Sequence, residues 1–470
     1  MSAGSKHSGQ QLDDVARRIL AGALDAAGRR LHPGVAPDAL RHRYSRIVQR
    51  QIEQFGVVPD FMYSCPGRTE LIGNHTDHNC GLAVAASIED DVLACVSERS
   101  DGVLALASDI EEQVLSVSVG SGPRTSEQGT TIALMRGIHD SYPESGGASV
   151  TLDSRVRPGD GTSSSAAFEL ILCASMDLRP SGGTVQHDTP DQVLVPDSER
   201  LTAYAQNARR AESVYFGKPS GLLDQLACGH GGIILIDFET DPPQVEALPA
   251  ERFMSEVSLH LIDTGSSHAG DHSSYASVPD DMHEVAGAFA EVTGRAAARS
   301  GPSLRHQLRD FAHNWQQVLS SVASMDRTES GRPGDRAILR ALHFFEEHQR
   351  VEAFSNALHA SDLHQCLELM QASGDSSRAY LQNVSNTAAT SQPAALTLAL
   401  LERLAGLRMP AGLVRIHGGG FGGAVLAASM KQSASLFEKR MSEHLPWMKL
   451  RPCNIRTNGL TGIGVATACA

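Results

Sequence analysis

The sequence predicts an α+β protein of two domains, and two observations support this prediction. Apolar runs of strand type recur between residues 82 and 238, helical patterns dominate residues 280–408, and strands return after residue 413. The chain has 470 residues, which is more than one ordinary hydrophobic core accommodates. We therefore expect two domains that meet near residues 250–258.

The first elements are an N-terminal helical region and a series of strands. Residues 1–10 read as disordered, and Leu12, Val15 and Ile19 then recur at helical spacing. The pattern predicts helices at 11–30, 36–55 and 166–178, and strands at 82–88, 92–96, 103–107, 114–119 and 149–152. Residues 179–199 hold three prolines and few apolar groups, which indicates an insertion or loop.

The remaining elements complete the first domain and form the second. Leu201, Tyr204 and Ala208 form one apolar helical face. Strands are predicted at 232–238, 258–263, 413–417, 424–428 and 461–468, with a helix at 432–444. The expected organisation is an N-terminal extension that is partly helical (1–40), a first domain (41–255) and a second domain (256–470).

Composition excludes several classes of function. The 54 acidic and 40 basic residues give a net charge of −14, which disfavours nonspecific binding to nucleic acid or anionic membranes. No apolar run approaches the roughly 20 residues that span a bilayer, and no secretory signal is evident. The eight cysteines are scattered without a C-x-x-C pair, so we expect a reduced, cytoplasmic protein. The expected partners are small molecules, and the expected state is a monomer or weak homo-oligomer.

The most informative stretch is residues 65–81. It places Arg68, Asn74, His75, Asp77 and His78 within eleven positions. Turns are expected throughout it, because of Pro66, Gly67, Gly73 and Gly81. So many donors and acceptors in a turn-rich segment suit recognition of a polyol better than packing of a core. The alternative is an ordinary polar loop.

A second motif, at residues 157–169, predicts an anion site. Gly159 and Gly161 precede a serine run and a strong helix former. A loop that leads into a helix N-terminus offers free N–H groups to a phosphate, and serine hydroxyls suit the oxygen shell of Mg²⁺. The alternative is a serine N-cap after a flexible turn. The chain has no Gly-Lys-Ser/Thr, so this is not a Walker A loop.

A third motif, at residues 212–225, predicts a general base. Gly217 and Pro219 end one helix, and Ser220 is expected to cap the next. Asp224 then lies in the first helical turn, where the helix dipole favours the ionised carboxylate that a general base requires. The alternative is an aspartate that only stabilises the helix start.

Two weaker motifs lie in the second half. Residues 417–423 match Gly-x-Gly-x-x-Gly, but a strand-like run follows instead of a helix, so a dinucleotide site is rejected. A hairpin without ligand contact is the alternative for this segment. His268 and His272 have metal-pair spacing, but a glycine lies between them and no third ligand is evident, so a metal site is not predicted.

These motifs resemble, in order, those of galactokinases in the GHMP kinase superfamily. The resemblance runs from about residue 40 to about residue 430. Residues 65–81 resemble the sugar-binding signature, and residues 220–225 resemble the stretch Cys-Gly-Ile-Met-Asp-Gln. The serine run resembles the phosphate loop, with Thr162 where leucine is usual, and residues 418–423 resemble the third superfamily motif. The resemblance implies a two-domain GHMP kinase fold with the active site in the cleft between the domains.

The resemblance also implies a reaction and a set of residues. The reaction is phosphorylation of the anomeric hydroxyl of galactose or a related sugar, with ATP and Mg²⁺. The implied catalytic residues are Asp224 as base and Arg68 as stabiliser of charge. The implied substrate-binding residues are Arg68, Asn74, His75, Asp77, Gly221, Asp224 and Tyr275. The implied ATP-binding residues are Gly159, Gly161, Ser163, Ser164, Ser165 and Ala166, and the implied Mg²⁺ ligands are Ser165 and Glu212.

One departure from the family bears on the substrate. Galactokinases carry Gly-Glu-His-Thr-Asp-Tyr, whereas this chain has Asn74 in place of the glutamate and His78 in place of the tyrosine. An amide donates hydrogen bonds that a carboxylate does not, so we expect Asn74 to alter the choice of sugar and Asn74→Glu to shift preference toward galactose. Two other functions stay open: a non-catalytic sugar sensor, and a GHMP kinase for another small alcohol.

Overall fold

The computed structural model describes residues 9–465 except 110, 112, 119, 121, 158, 178–192, 219, 267–271, 294–302, 309–310, 312–319, 321–332, 385–389, 406–411 and 422. The helices are α1 (Gly9–Leu20), α2 (Asp25–Leu31), α3 (Pro37–Phe55), α4 (Thr131–His139), α5 (Ser164–Met176), α6 (Ser198–Arg210), α7 (Leu223–His230), α8 (Glu251–Glu256), α9 (His272–Thr293), α10 (Asp335–His359), α11 (Leu363–Ser376), α12 (Pro393–Ala405) and α13 (Lys431–His444). The strands are β1 (Phe61–Ile72), β2 (Leu82–Glu98), β3 (Val103–Ala107), β4 (Leu115–Ser118), β5 (Gly147–Ser154), β6 (Val193–Leu194), β7 (Ile233–Asp237), β8 (Gln244–Leu248), β9 (Val257–Ser266), β10 (Gly412–Ile416), β11 (Gly423–Met430), β12 (Leu450–Pro452) and β13 (Thr461–Gly464).

Two sheets organise these elements. In the described part of the chain, nine strands form the first sheet in the order β4-β3-β5-β2-β1-β13-β6, and β7 and β8 continue beside β2. The long strand β2 pairs with β7 along its first half and with β5 along its second half. The second sheet has the order β10-β11-β9-β12 and is antiparallel. Strands and helices in both halves confirm the predicted α+β class.

Side chains of β1 alternate between two hydrophobic cores, one on each face of the first sheet. Met62 packs with Leu93 in a core that includes residues of α1, α2 and α3. Tyr63 and Cys65 point to the other face and pack against α5 and α6. Because strand side chains alternate between faces, one strand anchors two helical layers. None of the helices in the described ranges combines the length and apolar character needed to cross a membrane.

The two halves of the chain share packing. Leu71 and Val84 of the first sheet lie in one core with Leu426 of the second sheet and Phe354 of α10. The boundary predicted between residues 255 and 256 falls at the start of β9, but the division into two domains stays a prediction. The last strand, β13, pairs with β1, with Phe61 opposite Gly464. Residues 461–464 therefore complete the pairing of β1 in the first sheet.

The polar stretch at 65–81 turns less than expected. Pro66 and Gly67 lie inside β1, where the register with β2 shifts between Pro66 and Arg68. A bulge of this kind accommodates Pro66, which has no backbone N–H to donate, and Gly67, which has no side chain to pack. The expected turns begin only at Gly73, which has φ +103°, and continue through the short 3₁₀ turn Asp77–Asn79.

Other differences concern the edges of elements. The predicted strands 82–88 and 92–96 form one strand, because Asp91 is fully buried and paired with the Arg43 side chain instead of lying in a loop. The predicted helix 11–30 is divided near Gly22, which has φ +104°. Most of the predicted insertion 179–199 lies outside the described residues, and α6 begins at Ser198.

Candidate active site

Three residues that are distant in sequence meet at one carboxylate. Arg68 comes from β1, Ser163 precedes α5, and Asp224 lies in the first turn of α7. Arg68 donates from Nε and Nη2 to Asp224 Oδ1, at 2.7 and 2.6 Å. Ser163 Oγ donates to Asp224 Oδ2 at 2.6 Å. The Asp224 side chain is 39% exposed, so a substrate can reach a carboxylate whose orientation is fixed on both oxygens.

The surroundings keep this carboxylate ionised. Burial alone would raise the pKa of Asp224, but the charge of Arg68 and the hydrogen bond from Ser163 outweigh it and lower the pKa below its ordinary value. Arg68 itself is buried, and its charge is met by Asp224. The pair is therefore a guanidinium and a carboxylate at neutral pH, as a base beside a charge-stabilising group requires.

The glycine- and serine-rich loop is bound to the same arginine. The backbone N–H of Arg68 donates to Thr162 O at 3.1 Å, and its Nη1 donates to Gly161 O. Gly67 allows this approach, because a Cβ there would lie 2.6 Å from Thr162 O. Ser163 adopts a left-handed φ of +62°, and α5 starts at Ser164. The predicted transition from loop to helix N-terminus is present beside Asp224.

A second group of oxygen ligands lies next to this loop. Ser165 Oγ lies 3.3 Å from Glu212 Oε1, and Lys218 Nζ lies 3.6 Å from the same oxygen. Glu212 sits in a π-helical turn, Ala211–Phe216, a feature frequent at functional sites. A hydroxyl and a carboxylate are hard oxygen donors of the type that Mg²⁺ prefers. The described residues contain no group of three or more His, Cys, Asp or Glu side chains that could hold a metal ion.

Sequence reasoning missed Glu169 and Gln225 at this position. Gln225 Nε2 donates to Glu212 Oε2 at 3.1 Å and to Glu169 Oε2 at 3.3 Å. Burial, together with the charge of Glu212, raises the pKa of Glu169 well above its ordinary value. The available signal was the position of Glu169, four residues after Ser165 and therefore on the same face of α5.

The histidine and aspartate of the first motif face a second cluster. His75 Nε2 donates to Gly419 O at 2.8 Å, which leaves Nδ1 as an acceptor without a partner among the described residues. Burial and the neighbouring His78 lower the pKa of His75 to about 3, so the ring is neutral. The Tyr275 ring lies 4.9 Å from the His75 ring, and its side chain is partly exposed. The Asp77 carboxylate lies against Gly221, where a Cβ would be 2.3 Å from Oδ2.

Asn74 differs from the expectation that it contacts a sugar. Its side chain is fully buried. Nδ2 donates to Glu70 Oε1 at 2.9 Å and to Gly418 O at 2.6 Å. Oδ1 accepts from Asn383 Nδ2 at 2.6 Å and from Ser377 Oγ at 3.4 Å. The amide therefore has no free donor or acceptor for a ligand in this structure, and the reason is that residues distant in sequence saturate it.

Three smaller expectations concern a helix cap, the glycine-rich motif and a histidine pair. Ser220 does not cap α7, because Leu222 occupies the N-cap and Ser220 Oγ has no hydrogen-bond partner among the described residues. The glycine-rich motif connects β10 to β11, as expected for a hairpin and not for a dinucleotide loop. The pair His268 and His272 lies outside the residues whose side chains are described.

Comparison with known proteins shows that the chain is similar to galactokinases. A sequence model of the galactokinase galactose-binding signature matches residues 52–98. A galactokinase of Mycobacterium tuberculosis is 30% identical over 375 residues, which cover 78% of this chain and 88% of that protein. A galactokinase of Streptomyces coelicolor is 31% identical over 235 residues, which cover 48% of this chain and only 56% of that protein.

Solved structures support the fold. The crystal structure of Lactococcus lactis galactokinase complexed with galactose superposes with a TM-score of 0.67 at 21% identity and covers 89% of this chain and 99% of that one. A mevalonate kinase superposes with a TM-score of 0.52 at 12% identity, covering 84% of this chain and 99% of that one. The fold is therefore the one that these kinases share.

Proposed function

The chain belongs to the galactokinase family, and from this premise we propose that it transfers the γ-phosphoryl group of ATP to the anomeric hydroxyl of galactose or a related sugar. The observation that carries the proposal is the junction of Arg68, Asp224 and Ser163 with the phosphate-type loop. An oriented, ionised carboxylate next to a helix N-terminus supplies both a proton acceptor and an anion site.

The sugar would lie among the polar groups of the first motif. Asp77 lies against the backbone of Gly221, three residues before Asp224, so it can accept from a hydroxyl near the base. Neutral His75 offers Nδ1 as a further acceptor, and Tyr275 lies beside its ring. Several acceptors near a partly exposed aromatic residue suit a ligand with many hydroxyl groups.

The chemistry would require alignment and charge neutralisation. The sugar oxygen forms a bond to the γ-phosphorus, the bond from that phosphorus to the ADP oxygen breaks, and the hydroxyl proton passes to Asp224 or is oriented by it. Arg68 stabilises the Asp224 carboxylate before transfer and the phosphoryl charge during transfer. Its own position is fixed by the carbonyl groups of the loop that receives the phosphates.

The ATP phosphates would contact the loop chiefly through its backbone. Gly159 and Gly161 have left-handed φ values of +86° and +72°, and the Ser163 hydroxyl is already directed at Asp224. Ser164, Ser165 and Ala166 begin α5, where backbone N–H groups lack intrahelical acceptors. Ser165 and Glu212 would hold Mg²⁺, which when bound neutralises phosphate charge.

The proposal is tested with purified protein, Mg-ATP and a panel of free hexoses and pentoses, with ADP release as the readout. Galactose-dependent ADP release in the native protein, but not in Asp224→Asn, is the expected result. Binding of galactose without ADP release would identify a sensor instead. ADP release with a non-sugar alcohol, and with none of the sugars, would identify a different GHMP kinase.

Ser165→Ala and Glu212→Gln are each expected to raise the Mg²⁺ concentration that gives half-maximal turnover. Each variant removes one oxygen donor from the proposed metal site. Ser164→Ala is the matched control within the same serine run. The measurement is initial rate against Mg²⁺ at fixed ATP. Identical Mg²⁺ dependence in both variants and the native protein would place the metal elsewhere.

A further inference from the structure

We infer that Asn74 is a positioning residue, which holds the glycine loop (residues 418–420) against the sugar motif by pairing with Glu70, and that it does not read the sugar directly. The inference rests on the proposed function, because the sugar motif is taken as the substrate site. It replaces the expectation that Asn74→Glu shifts preference toward galactose.

The first observation is that the Asn74 amide is saturated. Its two N–H groups go to Glu70 Oε1 and Gly418 O, and its oxygen accepts from Asn383 and Ser377. An amide has two donors and one oxygen with two lone pairs, so no capacity remains. A sugar contact would require breaking one of these buried hydrogen bonds.

The second observation is where the partners of Asn74 lie. Gly418 belongs to the glycine loop, and the next residue, Gly419, accepts from both His75 and Asn383. His343 of α10 donates from Nε2 to the backbone oxygen of Asn74 at 2.9 Å. The residue thus connects the sugar motif with the loop, with α10 and with the segment after α11.

The third observation is the charge of the pair. Glu70 is buried, and its carboxylate has Arg415 at 3.5 Å and Asn74 at 2.9 Å. A carboxylate at position 74 would face the Glu70 carboxylate and the Gly418 carbonyl, and it would have no proton to donate to either. An amide at position 74 is therefore matched to a carboxylate at position 70.

Two isosteric substitutions test this inference. Asn74→Asp replaces the donor with an oxygen, and Glu70→Gln combined with Asn74→Asp exchanges amide and carboxylate without changing net charge or shape. Melting temperature is measured for the native protein, both single variants and the double variant. kcat and KM are measured with galactose, glucose and talose. Asn383→Ala, which also loses a bond to Gly419 O, is the matched variant outside the motif.

Asn74→Asp is expected to lower kcat/KM about 10- to 100-fold for every hexose alike, which leaves the ratios between hexoses within about threefold. The double variant is expected to recover melting temperature, because the amide introduced at position 70 can donate to the carboxylate introduced at position 74. It is not expected to recover kcat/KM fully, because that carboxylate has no proton to donate to Gly418 O. Asn383→Ala is expected to reproduce the uniform loss of kcat/KM.

Two results would overturn the inference. One is a change of more than about tenfold in the ratio between hexoses in Asn74→Asp with melting temperature unchanged, which would show that residue 74 reads the sugar. The other is additive melting temperatures across the four proteins, which would show that residues 70 and 74 are not paired. The stability measurements need no turnover, so a failure of the proposed kinase activity is recognised separately, by the absence of ADP release in the native protein.

Discussion

Asp224→Asn is expected to lower turnover about 10²–10⁴-fold while the protein stays folded. Asparagine keeps the shape of the side chain and an acceptor for Arg68, but it removes the proton acceptor that both neighbours orient. The measurement is kcat with saturating sugar and ATP, together with melting temperature. Turnover close to that of the native protein would contradict the assignment of the base.

The same site gives a pH dependence with a definite sign. Because Arg68 and Ser163 lower the pKa of Asp224, activity is expected to persist to a pH below the ordinary range of an aspartate and then to fall. Ser163→Ala removes one hydrogen bond to the ionised form, so the acid limb of the kcat profile is expected to move to higher pH. An unmoved acid limb would mean that another group controls it.

Arg43→Met is expected to lower the free energy of unfolding by about 3–5 kcal/mol, the cost of breaking a buried ion pair by removing one of its members. Arg43 Nη1 lies 2.5 Å from Asp91 Oδ1, and its Nε lies 2.7 Å from Asp153 Oδ1. Asp91 is fully buried. Burial would raise its pKa, but Arg43 and His32 lower it well below the ordinary value.

The matched control is Arg46→Met. Arg46 also pairs with Asp153, at 2.5 Å, but its side chain is 70% exposed. An exposed pair contributes little, so this variant is expected to lose less than about 1 kcal/mol. Urea unfolding at neutral pH measures both variants. The stability that the ionised Asp91 contributes is complete at neutral pH and is lost as the pH falls through its lowered pKa, which is why unfolding is measured at neutral pH. Equal losses of unfolding free energy in Arg43→Met and Arg46→Met would refute the buried pairing.

Much of the fold follows from patterns within single segments. The strand at 103–107 and the helix at 432–444 agree with their predicted bounds to within one residue, because alternation and helical spacing are local signals. The unbroken strand β2 was not predictable in this way. Asp91 remains inside a buried strand because Arg43, Arg456 and His32, from distant parts of the chain, surround it.

The candidate site also combines features that local patterns predict with features that depend on distant residues. The motifs at 65–81, 157–169 and 212–225 identified Arg68, Asp224, Ser165 and Glu212 as candidates, and the structure brings them together in two adjacent clusters. The partner of each individual hydrogen bond could not be predicted from the sequence. The Ser163 hydroxyl points to Asp224, and Asn74 is saturated by residues at 377, 383 and 418, which no local pattern reveals.

The pairing of β13 with β1 has a consequence for synthesis of the protein. Phe61 is opposite Gly464, so strands made early must wait for residues 461–464 before their sheet is complete. Contacts of such sequence separation slow folding. While the ribosome translates the intervening residues, the edge of β1 that will receive β13 lacks its partner, and an unpaired edge invites pairing with other chains. Final assembly of this sheet is therefore expected only once residues 461–464 have left the ribosome, and a chaperone that shields the open edge until then would protect the nascent chain.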